Sequence, residues 1–466
     1  MKISIPQSKV RHLLDRGSFG LGISPAPQDI TQLFDESEKT LLLQTIENPT
    51  IDQREIRALK NDSSRKEMMK ALLGKSRQNL MKLNSAWIDK LTRAPSLRER
   101  MTFFWHGHFA SRTLVPYYAQ QQNNTIRTFA LDTFSGLLMA ISKDPAMLQF
   151  LNNQQNRKDH PNENFAREVM ELFTLGRGNY TEEDVKEAAR AFTGWGFNVQ
   201  GEYQFRQRQH DFGIKTFRSK TKNFTGEQII EAILEDKTTA HFIAGKLYRY
   251  FVSDQNISSK TIETWADSFY RSGYSIEKLM DTIFQSDEFN NTINIGNRIK
   301  SPVELLITLR RHTDGNFENP QSLIFLQRAL GQILFYPPNV SGWPAGKAWI
   351  DSTSLAFRSS LPMLLFGGAE TDFEASDDGD ANGLGKEGEG KRRLHCKADW
   401  SMLANRFTKT SQAETIDTIE AFLLTRPTTK TNRDFISRMA AGAPSDQEFI
   451  KKTFIGFMSL PDYQLC

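Results

Sequence analysis

The sequence predicts a mainly α protein, a multi-helical globular array with at most a small β-hairpin. Two observations lead to this fold class. Ser96, Thr225 and Ser301 are each followed three residues later by Glu or Gln, which is the capping-box pattern of a helix start. Between such starts, apolar residues recur at the 3.6-residue period of an amphipathic helix and not at the two-residue period of a strand.

The helical pattern covers most of the chain. Pro302, directly after the Ser301 cap, supports a helix start because a first-turn residue needs no backbone N–H. The predicted helices are, in chain order, 31–46, 65–93, 97–110, 125–142, 163–175, 182–193, 226–236, 239–252, 260–272, 276–286, 302–313, 321–334, 353–366, 400–408, 413–425, 431–441 and 446–459.

Strand patterning is best developed in residues 197–205. Four apolar residues alternate there around Gly201, namely Phe197, Val199, Tyr203 and Phe205. Period-two alternation around a glycine predicts one small hairpin.

Composition divides the chain into three parts. Residues 367–390 carry seven glycines and eight acids, and such a segment cannot bury enough apolar surface to offset its ordering entropy. We therefore expect a helical main body over 1–366, a flexible linker or loop over 367–393, and a C-terminal helical segment over 394–466 that packs on the main body.

Charge and hydropathy narrow the functional classes. Fifty-nine Lys and Arg residues against 55 Asp and Glu residues leave a net charge of +4, which is too balanced and too scattered for a nucleic-acid-binding protein. The sequence contains no run of the roughly 18 apolar residues that span a bilayer. Its first residues are charged but lack the apolar stretch of a signal peptide, which predicts a cytoplasmic location.

The predicted helix 163–175 concentrates charge on one face. At about 100° per residue, Glu163, Arg167, Glu168 and Glu171 share one arc, and apolar residues fill the other. Pairs of opposite charge four residues apart are typical of a solvent-exposed helix. Alternatively, the tight turns on both sides direct this face into a pocket, where the four residues are candidate catalytic groups.

The sequence His106-Gly107-His108 has two interpretations. On a strand the two imidazoles share a face and suit a metal site. The Ser96 cap predicts a helix instead, in which the rings point about 200° apart. His108 then joins an apolar face as a buried, hydrogen-bonded residue, whereas His106 points the opposite way. Both histidines are candidate metal ligands.

A polar loop contains His210, Asp211 and Lys215. An adjacent His and Asp can both ligate a metal, or the carboxylate can orient the imidazole for acid–base chemistry. Polar loops also contain such pairs by chance. His210 and Asp211 are candidate metal ligands, and Lys215 is a candidate catalytic residue.

The segment 336–349 is rich in proline, glycine and aromatic residues, so its backbone shape is defined. We expect a structural plug in which Trp343 and Trp349 cover helix ends. The alternative is an aromatic wall for a ligand such as a sugar.

Several long motifs, in order, resemble the bacterial family called domain of unknown function 1800. They are His12–Gly20, Arg98–Phe109, Asn162–Gly176, Ala188–Trp195, His210–Lys215, Lys300–Glu304 and Pro337–Trp343. The similarity covers about residues 10–366 and the tail Leu460–Gln464. It implies a mainly α fold without a settled activity. It also implies frequent export, hence an extracytoplasmic location, and a co-encoded partner that looks like a phosphatase or a sulfatase.

Two functional hypotheses follow. In the first, the motifs converge on one polar cavity of an enzyme that acts on a polar substrate by metal-assisted or acid–base chemistry, with a divalent metal as cofactor. In the second, the same residues form an ion-pair network in a non-enzymatic scaffold or accessory protein for the co-encoded phosphatase- or sulfatase-like partner. Convergence on an open cleft favours the first, and mutual pairing without a cavity favours the second.

Overall fold

The computed structural model describes residues 8–23, 30–34, 42–47, 62–198, 200–371 and 392–466, and this part of the chain is mainly α. Seven helices of the described residues precede residue 163, where the predicted charged helix begins. They are α1 (Ser8–Gly17), α2 (Ile30–Leu33), α3 (Asp62–Arg93), α4 (Leu97–His108), α5 (Pro116–Phe129), α6 (Phe134–Ser142) and α7 (Pro145–Phe150) among the described residues.

The middle of the chain begins with an α-helix that continues into a π-helix. Helix α8 (Asn164–Glu168) continues as a π-helical turn, Val169–Thr174. The helices that follow are α9 (Glu182–Ala191), α10 (Gly226–Leu234), α11 (Lys237–Phe251), α12 (Ser259–Arg271), α13 (Ile276–Gln285) and α14 (Asp287–Asn290).

The last third of the chain is also helical. It contains α15 (Pro302–Thr313), α16 (Pro320–Ala329), α17 (Ser352–Phe366), α18 (Trp400–Phe407), α19 (Gln412–Leu423), α20 (Lys430–Ala440) and α21 (Asp446–Met458). In the described part of the chain, no helix combines the length and the apolar character that crossing a membrane requires.

The predicted caps form. Thr225 and Ser301 make complete capping boxes. Each hydroxyl accepts a hydrogen bond from the backbone N–H three residues later, and the side chain of that later residue accepts one from the backbone N–H of the cap residue. Ser96 makes the hydroxyl half of the pattern. The carboxylate of Glu99 instead accepts from Trp87 Nε1 at 3.0 Å and from Arg127 Nε at 2.5 Å.

Several predicted helices differ from the observed ones, and the helix predicted over 321–334 ends at Ala329. The prediction over 31–46 is wrong for residues 42–46, which are not helical. The side chains of Gln120 and Asn124 on α5 hydrogen-bond to the backbone of these residues, so their polar groups are satisfied without helix bonds. The predicted helix 125–142 is two helices, since Thr133 caps a new start at α6.

Four two-stranded antiparallel sheets occur among the described residues. The predicted hairpin is present as β1 (Trp195–Phe197) paired with β2 (Tyr203–Phe205), while Val199 lies outside the described residues. The other pairs are β3 (Lys215–Phe217) with β4 (Lys220–Lys222), β5 (Asn316–Phe317) with β8 (Cys396–Lys397), and β6 (Glu370–Thr371) with β7 (Arg392–Arg393).

Most of the predicted linker, residues 372–391, lies outside the described residues. The strands on either side of it, β6 and β7, pair with each other. The two ends of the segment are therefore held side by side.

The apolar interior comprises two clusters of buried residues. The first cluster is built mainly from α4 to α14. The second cluster joins α1, α3 and α15–α17 to the C-terminal helices α18–α21. Polar contacts support this packing, since Arg11 Nη1 donates to Phe422 O at 2.8 Å and Arg358 Nε donates to Gln464 Oε1 at 2.9 Å. The C-terminal helices thus share a core with the N-terminal ones.

A buried ion triad lies where the clusters meet. Glu304 on α15 contacts the guanidinium groups of Arg100 on α4 and Arg298. Both guanidiniums lie over the ring of Tyr250, at 4.9 and 5.0 Å from its centre. Burial alone would raise the pKa of Glu304, but Arg100 and Arg298 hold that pKa well below its usual range.

We predict that Glu304→Gln lowers the free energy of unfolding at pH 7 by about 3–5 kcal/mol, because it leaves two buried guanidiniums without their carboxylate. The folded-state pKa is depressed, so this stabilisation is present above the unfolded pKa of about 4.3 and is lost as the pH falls through the folded pKa. Urea unfolding should therefore show a smaller difference between wild type and variant at pH 3 than at pH 7. The matched control, the exposed Glu183→Gln, should leave stability unchanged. A pH-independent difference would contradict the prediction.

Candidate functional site

The charged face of α8 lies at the protein surface and is occupied by ion pairs. Arg167 Nη1 and Nη2 bind both carboxylate oxygens of Glu182 on α9, at 2.8 and 2.7 Å. Glu163 Oε2 lies 3.1 Å from the same guanidinium. These side chains are partly or largely exposed, so water screens the pairs and they stabilise the fold only weakly.

The other two acids of this face have separate surroundings. Glu171 accepts a hydrogen bond from the hydroxyl of Tyr180 and lies 4.0 Å from Arg177 Nε. Burial raises the pKa of Glu168, and the neighbouring charge of Glu171 raises it further. Glu168 therefore keeps a proton to a higher pH than an ordinary glutamate does.

His106 and His108 diverge, as a helix requires. The ring of His106 packs against Trp87 and Phe335 in the second cluster, whereas the ring of His108 packs against Phe109 in the first. His106 Nε2 accepts from the backbone N–H of Phe335 at 3.1 Å. Burial, and then the charge of Arg127, lowers the pKa of His106 to about 3, so this imidazole is neutral.

His108 is buried and hydrogen-bonded at both ring nitrogens. Nε2 lies 3.1 Å from Phe173 O, a pure acceptor, so Nε2 carries the hydrogen. Nδ1 then accepts from Lys246 Nζ at 3.0 Å. Burial, together with the charge of Lys246, lowers the pKa of His108 well below its ordinary value.

Lys246 on α11 hydrogen-bonds to the backbone of the π-helical turn. Its Nζ also donates to Leu172 O at 3.2 Å, so Lys246 and His108 bind two consecutive carbonyls of the turn, Leu172 and Phe173. Winding from α to π redirects backbone carbonyls, and these two side chains satisfy them. Sequence reasoning missed Lys246, because its only signal was a lysine at the edge of the buried stripe of an amphipathic helix.

His210, Asp211 and Lys215 do lie together, in a tightly bonded loop. Lys215 is 0% exposed, and its Nζ donates to Asp211 O at 2.6 Å and to Gly213 O at 2.9 Å. Burial would raise the pKa of Asp211, but hydrogen bonds from Arg190 and the Gly213 amide lower it. His210 Nδ1 lies 2.8 Å from Thr193 O.

Glu187 and Arg190 on α9 hold this loop against the body. Arg190 binds Glu187 at 2.6 Å and Asp211 at 2.7 Å, and Glu187 accepts from the backbone N–H of Thr216 at 2.7 Å. Sequence reasoning missed both residues, although their spacing of three on a helix allows them to pair.

The contacts of the predicted residues divide them into three groups. Helix α9 touches two of them, the face of α8 through Glu182 and the loop through Arg190. These two residues are eight positions apart, which is about 12 Å along a helix axis. The third group, His106 and His108, faces the two interior clusters.

The donor set for a metal is correspondingly dispersed. No group of three or more His, Cys, Asp or Glu side chains within the described ranges is placed to hold a metal ion. The oxygens of Asp211 are engaged by Arg190 and the Gly213 amide. The residues that the structure describes therefore do not fit the divalent-metal site that the sequence suggests, and we derive no metal-assisted step.

We predict that His108→Ala lowers the free energy of unfolding by about 1–3 kcal/mol, because Phe173 O and Lys246 lose a buried partner. Denaturant titration followed by circular dichroism measures the effect. The control is His241→Ala, an exposed histidine on α11, which should unfold like the wild type. Equal stability of the two variants would show that the His108 hydrogen bonds do not support the π-helical turn.

Comparison with known proteins identifies a family. No curated protein and no solved structure matches the chain. A family model described as "Protein of unknown function (DUF1800)" matches residues 12–465. The match extends through the C-terminal helices, beyond the motifs of the main body. The chain therefore belongs to the DUF1800 family.

Proposed function

We propose that this protein is a non-enzymatic scaffold or accessory protein, and that it binds its partner through residues 205–222. One observation carries the proposal. The loop 210–215 is internally bonded, yet it presents Phe212 and Ile214 to solvent at 58% and 69% exposure. Clustered exposed apolar side chains are typical of protein interaction sites.

The apolar side chains form one patch around His210. The His210 ring lies 5.0 Å from the ring of Phe205 and 4.6 Å from that of Phe212. Phe205 is itself exposed. Phe205 and Phe212 therefore lie against the same buried imidazole, and Ile214 follows Phe212 by two residues in the loop.

The loop is already ordered before a partner arrives. Lys215 bonds to two carbonyls of the loop and to Asn223 Oδ1 at 3.2 Å, and Arg190 anchors Asp211 to α9. A surface that is rigid in the free protein loses little conformational entropy on binding. In this proposal, the residues predicted as catalytic or metal-ligating position the patch.

Charge around the patch indicates the chemistry of the partner. Residues 206–222 contain six Lys or Arg residues and one acid, Asp211. Of the basic residues, Arg208, Lys220 and Lys222 are exposed, and Lys220 pairs with Glu235 at 2.6 Å. An apolar centre with a basic rim fits a protein surface that has an apolar depression and an acidic rim. The phosphatase- or sulfatase-like protein implied by the family resemblance is the candidate partner.

We predict that the double variant Phe212→Ser, Ile214→Ser weakens partner binding by about tenfold or more, because central apolar anchors dominate interface energies. Biolayer interferometry with the purified co-encoded phosphatase- or sulfatase-like protein measures the dissociation constant. Both side chains are exposed, so the variant should keep the melting temperature of the wild type.

The control is Leu114→Ser, which removes an equally exposed apolar side chain from another surface, at 70% exposure. It should bind like the wild type. Absence of binding by the wild type, or the same loss in the control, would refute the proposed docking site.

A second candidate, an acid–base enzyme that acts on a polar substrate, is favoured by Lys246. Burial, and then the charge of Arg249, lowers the pKa of Lys246 to about 8. Its Nζ lies beside the neutral His108, and the residue as a whole is partly exposed. An amine that titrates near neutral pH can exchange protons with a substrate, and burial and neighbouring charges tune catalytic lysines in this way.

We predict that the amine of Lys246 becomes reactive at a lower pH than that of an ordinary lysine. Competitive acetylation at several pH values, read by mass spectrometry of peptides, should give a midpoint near pH 8 for Lys246. A short lysine-containing peptide added to the same reaction serves as the control, with a midpoint near the ordinary lysine value of about 10.4. The same midpoint for both lysines would remove the support for the enzymatic alternative.

A further inference from the structure

A chain of hydrogen bonds runs beside the π-helical turn from Lys246 through His108 to Phe173 O. Lys246 Nζ lies 3.0 Å from His108 Nδ1, and His108 Nε2 lies 3.1 Å from Phe173 O. An activated nucleophile in covalent catalysis has the same three components, namely the nucleophile, a base within hydrogen-bonding distance and a third group that orients the base. A π-helical turn is also a form of backbone that occurs frequently at functional sites.

The tautomer of His108 places a ring lone pair towards Lys246. Phe173 O can only accept a hydrogen bond, so Nε2 carries the ring hydrogen and Nδ1 does not. The ring of Phe109 packs against this imidazole at 4.5 Å between ring centres, which helps to fix its plane. His108 Nδ1 is therefore positioned to accept a proton from Nζ.

The contacts of Lys246 Nζ engage its hydrogens and leave its lone pair for bond formation. Nζ donates to His108 Nδ1 at 3.0 Å and to Leu172 O at 3.2 Å, and both partners are acceptors. A neutral amine has two hydrogens and one lone pair, and the lone pair is what attacks a carbonyl carbon. Burial, and then the charge of Arg249, lowers the pKa of Lys246 to about 8, so part of this amine is neutral at pH 7.

The surroundings of Nζ suit a small anionic molecule. Lys246 is partly exposed and His108 is 7% exposed, so the chain of hydrogen bonds begins near the surface and ends in the interior. The ring of Phe242, one turn earlier on α11, lies 4.7 Å from Nζ and covers one side of it. The positive charge of the exposed Arg249 acts on Nζ and also attracts negative charge to it.

We propose that Lys246 forms an imine with a small oxo acid, which is an aldehyde or ketone that also carries a carboxylate. The lone pair of Nζ attacks the carbonyl carbon, so that a C–N bond forms and the π electrons of the C=O bond move to the oxygen. His108 Nδ1 accepts a proton from Nζ and passes it to that oxygen. The C–O bond then breaks, and the oxygen leaves as water with both hydrogens of the amine, which gives the C=N bond.

The imine rests on the proposed enzymatic alternative, because both need the neutral amine of Lys246. It goes beyond that alternative in making Lys246 a covalent nucleophile and in naming the substrate class. It does not depend on the docking of a protein partner at residues 205–222.

Reductive trapping of the full-length protein tests the proposal. Glyoxylate is an aldehyde with a carboxylate, acetaldehyde is its neutral counterpart, and cyanoborohydride reduces each imine to a stable amine that peptide mass spectrometry detects. We expect glyoxylate to label Lys246 about tenfold or more faster than the exposed Lys186. The ratio of the two rates should be smaller with acetaldehyde. Equal labelling of the two lysines by glyoxylate overturns the proposal, and an equal ratio with acetaldehyde refutes the carboxylate.

Two variants test the proton transfer. His108→Asn keeps an acceptor for Nζ but removes the base, so it should slow the labelling of Lys246 about tenfold or more. The control His241→Asn changes an exposed histidine on α11 and should be labelled like the wild type. Wild-type labelling of a folded His108→Asn refutes the role of His108. If circular dichroism shows that this variant does not fold, the comparison of the two aldehydes on the wild type still decides the proposal.

Failure of the imine is distinguishable from failure of the enzymatic alternative. An acetylation midpoint near pH 8 without preferential trapping of Lys246 refutes the imine and leaves the acid–base alternative in place. An ordinary midpoint, again without trapping, removes both.

Discussion

One buried carboxylate, that of Glu304, constrains the whole helical array. It completes the cap of its own helix by accepting from the Ser301 N–H at 2.7 Å, and it pairs with both Arg100 and Arg298. Tyr250, beneath both guanidiniums, packs against both apolar clusters. Leaving a buried guanidinium without a partner costs several kcal/mol. Sliding α4 relative to α15 would incur that cost, so the carboxylate fixes their relative position.

Helix α4, once fixed, positions irregular backbone on both of its sides. His106 bonds to the Phe335 N–H on one side, and His108 bonds to Phe173 O on the other. Two histidines separated by one residue on a helix must diverge, so a single helix reaches both the segment 331–343 and the π-helical turn. Irregular backbone on a rigid helix is where binding and catalytic groups are best placed. Lys246 lies at the second of these locations, the π-helical turn.

Local sequence predicted the parts of the fold that depend on local interactions. The caps at Thr225 and Ser301 need only neighbouring residues, and both formed as predicted. The π-helical turn was not predictable in this way, because Lys246 and His108 satisfy its carbonyls from other helices. The same difference applies to the candidate residues. The pairing of Glu163 with Arg167 follows from helix spacing, but the bidentate partner of Arg167 is on another helix.

The conspicuous charged residues of this sequence and its exposed apolar residues have different roles in the fold. Arg167 joins α8 to α9 through Glu182, and Asp211 joins its loop to α9 through Arg190, so the hydrogen-bonding groups of both residues are already engaged. Phe212 and Ile214 are isolated apolar residues in a polar loop, so the sequence pattern does not mark them as functional. The hydrogen bonds of the loop nevertheless hold both side chains in solvent. Exposing a large apolar side chain is unfavourable unless something covers it in function. The side chains that remain able to bind a partner are therefore Phe212 and Ile214, which lie beside the conspicuous charged residue Asp211.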